Sequence, residues 1–170
     1  RGRSSGCTPL RQNAGLPVKS LPDLVRLAQS KPGQLNYASG GIAGSSHLCG
    51  ELFKSLSGAH IVNVNYKGSG PAIAAVLAGE AHLMFANATI ASAHMQSGKV
   101  RALAMTTDKR SSELPNVPTV KESFDDFVEI RSWQGVLGPR GVPKEIVDAL
   151  GKEILAVTAV PDFKTKLASI

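Results

Sequence analysis

The residues best suited to chemistry lie in one polar, glycine-rich segment, Ser39–His47. It reads SGGIAGSSH and separates a short apolar run from a helical pattern. Glycines let the backbone turn tightly, and the first turn of a helix adds unpaired N–H donors with a partial positive charge. Ser45, Ser46 and His47 add side-chain donors. The segment therefore predicts a site for a carboxylate or a phosphate, although an ordinary glycine-rich turn with Ser45 as the helix N-cap fits it equally well.

The motifs of nucleotide binding and hydrolysis are missing from the sequence. No Lys follows the glycines as GxxxxGK[ST] requires, and Gly68–Gly70 lacks the third glycine of GxGxxG, since Ile73 stands there. There is no GxSxG elbow. Scattered histidines and the two cysteines, Cys7 and Cys49, form no metal-ligand spacing. We therefore expect no catalytic residue, no metal and no cofactor.

The composition bears on two further classes of protein. With 42% hydrophobic and 19% charged residues, the 170-residue chain can bury a core. The net charge of +6 raises the question of nucleic-acid binding, but the basic residues are scattered and have no interleaved aromatic residues. A diffuse positive field suits small anions equally well, and we expect no nucleic-acid partner. No apolar stretch is long enough to span a bilayer.

Alternating helix and strand patterns must position the glycine-rich segment. The sequence predicts helices over 21–30 (with Ser20 as N-cap), 45–56, 71–78 and 89–96, and strands over 34–39, 60–66, 81–85 and 100–106. This series indicates an α/β fold with a doubly wound, mainly parallel sheet. Ligands of such sheets bind beyond the carboxyl ends of the strands, where segments 39–46, 67–70 and 86–89 would meet.

The two ends of the chain depart from this alternation. Residues 1–15 include RGRSSGCTPLRQN, which has no apolar period and is interpreted as a leader, disordered or added by cloning. Towards the other end, the patterns predict a loop over 108–118, a long strand over 127–137, a helix over 143–157 and the start of another helix at 162. The helix over 143–157 carries a broad apolar stripe.

Several runs of residues carry a resemblance to a known family. KPGQLNYASGG (31–41), SSHLCGELF (45–53), VNYKGSGPAIAAVLAGEAHLMF (64–85), GKVRALAMTTDKRSSELPNVPTVKES (98–123) and SWQGVLGPRGVPKEIVDAL (132–150) follow in order. In these the chain resembles the Bug-type (TctC-like) receptors of tripartite tricarboxylate transporters. The resemblance implies lobes of the type II periplasmic-binding-protein kind. It also implies a receptor in the periplasm that delivers a small organic acid to membrane permease subunits and performs no chemistry on it.

The resemblance also implies how the chain divides and where it binds. Residues 16–128 correspond to the second lobe, and residues 129–170 to an incomplete part of the first, so this chain would hold half of the cleft. With the rest of the first lobe absent, we expect the apolar stripe over 143–157 to cause self-association. The ligand-binding residues would be Ser39, Gly40, Gly41, Ala43, Gly44, Ser45, Ser46, His47, Tyr66, Ser69, Ala86 and Asn87.

Two departures from the family pattern concern the ligand. The chain has Ala43-Gly44-Ser45 where the family loop often carries one more hydroxyl, and Ala86-Asn87 where an Asp commonly follows Met-Phe. The missing Asp argues against an amino-acid ligand. Two alternatives stay open: an α/β enzyme acting on a phosphate-bearing substrate, and a degenerate receptor fragment without a ligand.

Overall fold

The structure is a computed structural model that describes residues 7–12, 16–87, 94–95, 97–112, 114–130 and 136–163, with the backbone alone for 7–12 and 87. The chain divides into two compact units, residues 1–132 and 133–170. In the first unit, the elements are β1 (Cys7–Gln12), α1 (Leu21–Ser30), β2 (Leu35–Ser39), α2 (Ser45–Ser57), β3 (Ile61–Asn65), α3 (Ser69–Ala78), β4 (Leu83–Asn87), β5 (Val100–Ala102) and a 3-10 turn (Val120–Glu122). The second unit contains α4 (Lys144–Ala159).

The strands form one sheet in the order β3-β2-β4-β1-β5. Strand β2 runs parallel to both β3 and β4, whereas β1 runs antiparallel to β4 and β5. Four strands therefore share one direction, and their carboxyl ends lie along one edge of the sheet. The predicted α/β fold with a mainly parallel sheet is confirmed.

Helices cover both faces of the sheet because buried side chains alternate along its central strands. Leu35 and Tyr37 of β2 belong to a core cluster with residues of α1 and α2. Ala38, the next residue of β2, belongs to a second cluster that is built largely from α3. The small Ala side chains of that second cluster let α3 pack close to the sheet.

The predicted helix boundaries are set by the signals in the sequence. The Ser20 hydroxyl caps α1 by accepting a hydrogen bond from the Asp23 N–H at 3.3 Å. Helix α2 ends at Gly58, which has the left-handed φ of 63° that glycine adopts without strain. Its N-cap is Gly44 rather than Ser45, so the alternative of a Ser45 cap is wrong.

Residues 7–12 depart from the expected leader, because they form β1 between β4 and β5. The register explains how a strand with a proline is tolerated there. Pro9 pairs with Phe85 of β4 but lies beyond the β5 ladder, which covers only Leu10–Gln12, so the proline has a paired strand on one side alone. The same register ends β5 early: the residue after Ala102 would have to pair with Pro9. The strand predicted over 100–106 therefore stops at Ala102.

Three further predictions concern the chain after β4. The helix over 89–96 lies outside the described residues except for His94 and Met95. The long strand over 127–137 is wrong for its described residues, 127–130 and 136–137, which pair with no described strand; an apolar run becomes a strand only beside a partner. Helix α4 forms as predicted, and the described chain after it reaches Phe163.

Helix α4 carries no buried residue. Its apolar stripe is exposed along its whole length, with Ile146, Val147, Leu150, Ile154, Leu155 and Val157 each at least 40% accessible.

Candidate functional site

The glycine-rich segment forms the turn between β2 and α2. Gly44 donates a hydrogen bond to the Gly41 carbonyl oxygen at 3.3 Å, which closes the turn, and the Gly44 carbonyl accepts the first helical bond from Leu48 at 2.9 Å. Ala43 has a left-handed φ of 61°, which is uncommon for a residue with a side chain. The Ala43 N–H donates a hydrogen bond to Nδ1 of His47 at 3.4 Å.

The loop between β3 and α3 lies directly against this turn. Gly68 donates a hydrogen bond to the Gly40 carbonyl oxygen at 3.0 Å. A Cβ added to Gly40 would lie 2.9 Å from the Ser69 nitrogen and 3.2 Å from its hydroxyl. Only glycine permits this approach, because backbone atoms cannot swing aside. Gly40 therefore lets the loop that leads into α2 pack directly on the start of α3 at the carboxyl edge of the sheet.

These two first turns present backbone donors without protein acceptors. Within the described part of the chain, the N–H groups of Ser46, His47, Ser69 and Gly70 donate no hydrogen bond to a protein acceptor. Each helix adds the partial positive charge of its N-terminus. Two convergent helix N-termini with open donors are suited to an oxyanion such as a carboxylate or a phosphate.

Two of the predicted serine side chains, those of Ser39 and Ser46, make hydrogen bonds within the protein. The Ser46 hydroxyl accepts a hydrogen bond from the Gly40 N–H at 3.2 Å. Ser39 is fully buried, and its hydroxyl lies 3.0 Å from Oδ1 of Asn65 and 2.9 Å from Nδ2 of Asn63. The carbonyl of Ser39 also accepts the Tyr66 N–H at 2.8 Å. A ligand contact by either hydroxyl stays a prediction.

The remaining predicted residues surround the same edge. Tyr66 is half-buried beside the Ala-rich cluster under α3, and Ser69 opens α3. Ala86 is buried at 2% accessibility, and Asn87 ends β4 with its side chain outside the described part. The fold thus places all twelve predicted residues on the three segments that follow β2, β3 and β4, or at the ends of those strands. Their contact with a ligand stays a prediction.

Three residues beside the site were missed by the sequence analysis. Asn63 and Asn65 alternate along β3, so both face Ser39, and their spacing of two was the available signal. Tyr37 of β2 was predicted only to lie in the strand over 34–39. Its hydroxyl donates to Oε1 of Glu51 at 2.8 Å, beneath the first turn of α2.

The carboxylate of Glu51 is the charged group that accepts the hydrogen bond of the Tyr37 hydroxyl. Lys54 binds both of its oxygens, at 2.8 and 2.9 Å. Burial raises the pKa of Glu51, but the hydrogen bonds from Lys54 and Tyr37 outweigh it and hold the pKa below its ordinary value. Burial, together with the Glu51 contact, raises the pKa of the Tyr37 hydroxyl, which therefore keeps its proton. Glu51 is thus a compensated negative charge.

Metal and membrane features were searched in the same described residues. They contain no group of three or more His, Cys, Asp and Glu side chains arranged to hold a metal ion. None of their helices combines the length and the apolar character needed to cross a membrane.

The fold is that of the periplasmic binding proteins. The structure of the periplasmic binding protein BugD matches with a TM-score of 0.85 and 30% identity over 98% of this chain and 57% of BugD. R. palustris Rpa4515 with adipate matches with a TM-score of 0.83 and 34% identity, over 96% of this chain and 56% of that one. MatC from Rhodopseudomonas palustris with bound malate matches with a TM-score of 0.89 and 26% identity, over 98% and 56%.

Residues 5–170 match the model of the tripartite tricarboxylate transporter family receptors, TctC, and the chain belongs to that family. Among curated relatives, protein BugT of Bordetella pertussis is 34% identical over 84% of this chain and 44% of its own length. The UPF0065 protein in the tcbD-tcbE intergenic region of Pseudomonas sp. strain P51 is 33% identical over 89% and 46%. The chain spans about half the length of the curated relatives it matches.

Proposed function

We propose that this chain is part of an extracytoplasmic solute-binding receptor that captures a small organic carboxylate and hands it, unaltered, to the permease subunits of its transporter. One observation carries the proposal. Gly40 contacts the start of both helices, Ser46 of α2 through a 3.2 Å hydrogen bond and Ser69 of α3 through close packing, and each first turn presents two N–H groups without a protein acceptor. A carboxylate has two oxygens that can accept such donors together, with charge-assisted hydrogen bonds.

The charge around the loops supports an anionic ligand. Lys67 stands exposed in the loop before α3, and the chain as a whole carries a net charge of +6. The nearby Glu51 carboxylate is bound by Lys54 and Tyr37, which reduces its repulsion of an anion. The structural neighbours with bound adipate and malate favour a dicarboxylate.

Capture without turnover is the second part of the proposal. The family is one of receptors, and BugD is a periplasmic binding protein. The same relatives support a location outside the cytoplasmic membrane, in the periplasm. The competing function, an α/β enzyme with a phosphate-bearing substrate, would use the same helix N-termini, so phosphate belongs in the test.

The test is an NMR titration of the ¹⁵N-labelled chain with malate, adipate, inorganic phosphate and adipamide. Adipamide has the length of adipate but no charge, and is therefore the matched control ligand. We expect malate or adipate to shift the amide signals of Ser46, His47, Ser69 and Gly70, and adipamide to leave them unchanged. Gly151→Ala, in α4, where an added Cβ meets nothing, should respond like the original chain.

Two results would oppose the proposal. If neither diacid moves these four amide signals at millimolar concentrations, the loop edge is not a carboxylate site. If phosphate shifts these amide signals while both diacids do not, the result favours the enzyme alternative. Phosphate esters should then be screened for product formation.

A further inference from the structure

The ring of Tyr37 lies against bare backbone of α2. Tyr37 is 1% accessible, and its ring meets Phe85 edge to face at 5.8 Å. The ring also contacts Gly50 of α2, where an added Cβ would lie 2.4 Å from Cζ and 2.7 Å from the hydroxyl oxygen of Tyr37. The absence of a side chain at Gly50 thus lets α2 lie closer to Tyr37 than a residue with a Cβ would permit.

The hydroxyl of Tyr37 contacts α2 at two positions along the helix. It donates to the Glu51 carboxylate at 2.8 Å, and the carbonyl oxygen of His47 lies 3.4 Å away as a second acceptor. His47 belongs to the first turn of α2, and its own N–H is one of the open donors of the site. The contact at Gly50 fixes the depth of the helix, and the hydroxyl fixes its rotation and its position along its axis.

From this geometry we infer that Tyr37 is a positioning residue for the anion site: it sets the direction in which the N–H groups of Ser46 and His47 point. The inference rests on the proposed function. A helix moves as a rigid body over one or two turns, so a shift at His47 and Glu51 is passed on to the donors. Hydrogen bonds weaken steeply as the donor angle departs from linear, which makes the direction of these N–H groups matter for affinity.

The test compares two variants that lose hydrogen bonds at opposite ends of the same helix. Tyr37→Phe keeps the ring and removes the hydroxyl. Ser57→Ala removes a hydroxyl that donates to the Phe53 carbonyl at 2.6 Å and accepts from the Ala59 N–H at 3.2 Å, at the far end of α2. Affinity is measured by the NMR titration with malate or adipate, and unfolding by urea.

We expect Tyr37→Phe to weaken binding roughly tenfold, which corresponds to about 1.4 kcal/mol, and to shift the Ser46 and His47 amide signals of the free protein. Ser57→Ala should lower the urea midpoint as well, yet change the affinity by less than about twofold. Glu51→Gln keeps an oxygen acceptor for the Tyr37 hydroxyl and removes a negative charge. It should therefore bind at least as well as the original chain.

The outcomes separate this inference from the proposed function. If neither diacid shifts the amide signals of the unaltered chain at the loop edge, both the proposed function and this inference are wrong. If the chain binds but Tyr37→Phe binds equally well, the inference alone is overturned. Equal weakening by Tyr37→Phe and Ser57→Ala would overturn it too, because general loss of stability would then explain both. If Glu51→Gln weakens diacid binding, the positioning role belongs to the Glu51–Lys54 pair and the inference is overturned.

Discussion

Replacing Gly40 by alanine is the most direct perturbation of the loop edge. The new Cβ would lie 2.9 Å from the Ser69 nitrogen, 3.0 Å from the Gly68 carbonyl carbon and 3.2 Å from the Ser69 hydroxyl. Two of these three atoms belong to the backbone, so a rotamer change cannot relieve the contact. The loops must move apart, and the 3.0 Å hydrogen bond from Gly68 to Gly40 is lengthened.

Two effects follow from that displacement. Overpacking of this kind costs roughly 1–3 kcal/mol of unfolding free energy. A carboxylate that spans both helix N-termini would lose about one charge-assisted hydrogen bond, worth roughly 1.5–3 kcal/mol. At about 1.4 kcal/mol per tenfold change, the diacid affinity should fall by a factor of roughly ten to a hundred.

Gly70→Ala is the matched control for stability. Gly70 lies in the first turn of α3, and an added Cβ there meets nothing within 4 Å. Since alanine favours a helix over glycine, this variant should gain up to about 1 kcal/mol. Urea unfolding followed by circular dichroism measures both. A Gly40→Ala chain as stable as the original would show that the two loops are not in tight contact, and the convergence of the helix N-termini would have to be abandoned.

Three more predictions concern other parts of the chain. Ser39→Ala removes a buried hydroxyl that joins β2 to two asparagine side chains of β3, and should cost roughly 1–3 kcal/mol in urea unfolding; an unchanged midpoint would count against that link. The hydrogen bond from Arg110 holds the pKa of Glu122 at about 2, against an ordinary 4.5, so the stability that this carboxylate contributes is present above pH 4.5 and is lost as the pH falls towards 2. Acid unfolding of Glu122→Gln should therefore depend less on pH over that interval, and equal slopes would refute this. The stripe on α4 predicts association that depends on concentration, which Leu150→Glu should reduce in sedimentation velocity; a monomer at all concentrations would exclude it.

The order of elements around the site was predictable because its signals are local. Ser20 precedes the first helix as an N-cap, Gly58 ends α2, and the glycine-rich segment stands between a strand and a helix in the sequence as in the structure. Patterns of this kind reach across a few residues, and each prediction could be made without knowing what lies opposite in space.

The contacts that shape the site were not predictable, because they join distant residues. Gly40 touches Ser69, and Tyr37 touches Gly50; no pattern within one segment shows which glycine is needed by a neighbour elsewhere. Strand β1 was missed because it, too, depends on distant partners. Its composition, with a proline, suggested no strand, and only the partners β4 and β5 make it one.

The place of β1 in the sheet also determines when this fold can be completed during synthesis. Leu10 is made before both of its partners, Ala102 on one side and Met84 on the other. Strand β1 must therefore wait until β4 and β5 have been made before its neighbours exist, and closing so long a loop is slow. From the synthesis of β4 until β1 pairs with it, β4 has an open edge, which another extended chain could occupy. A factor that keeps the early chain extended until β5 has formed would therefore raise the yield of correctly folded protein.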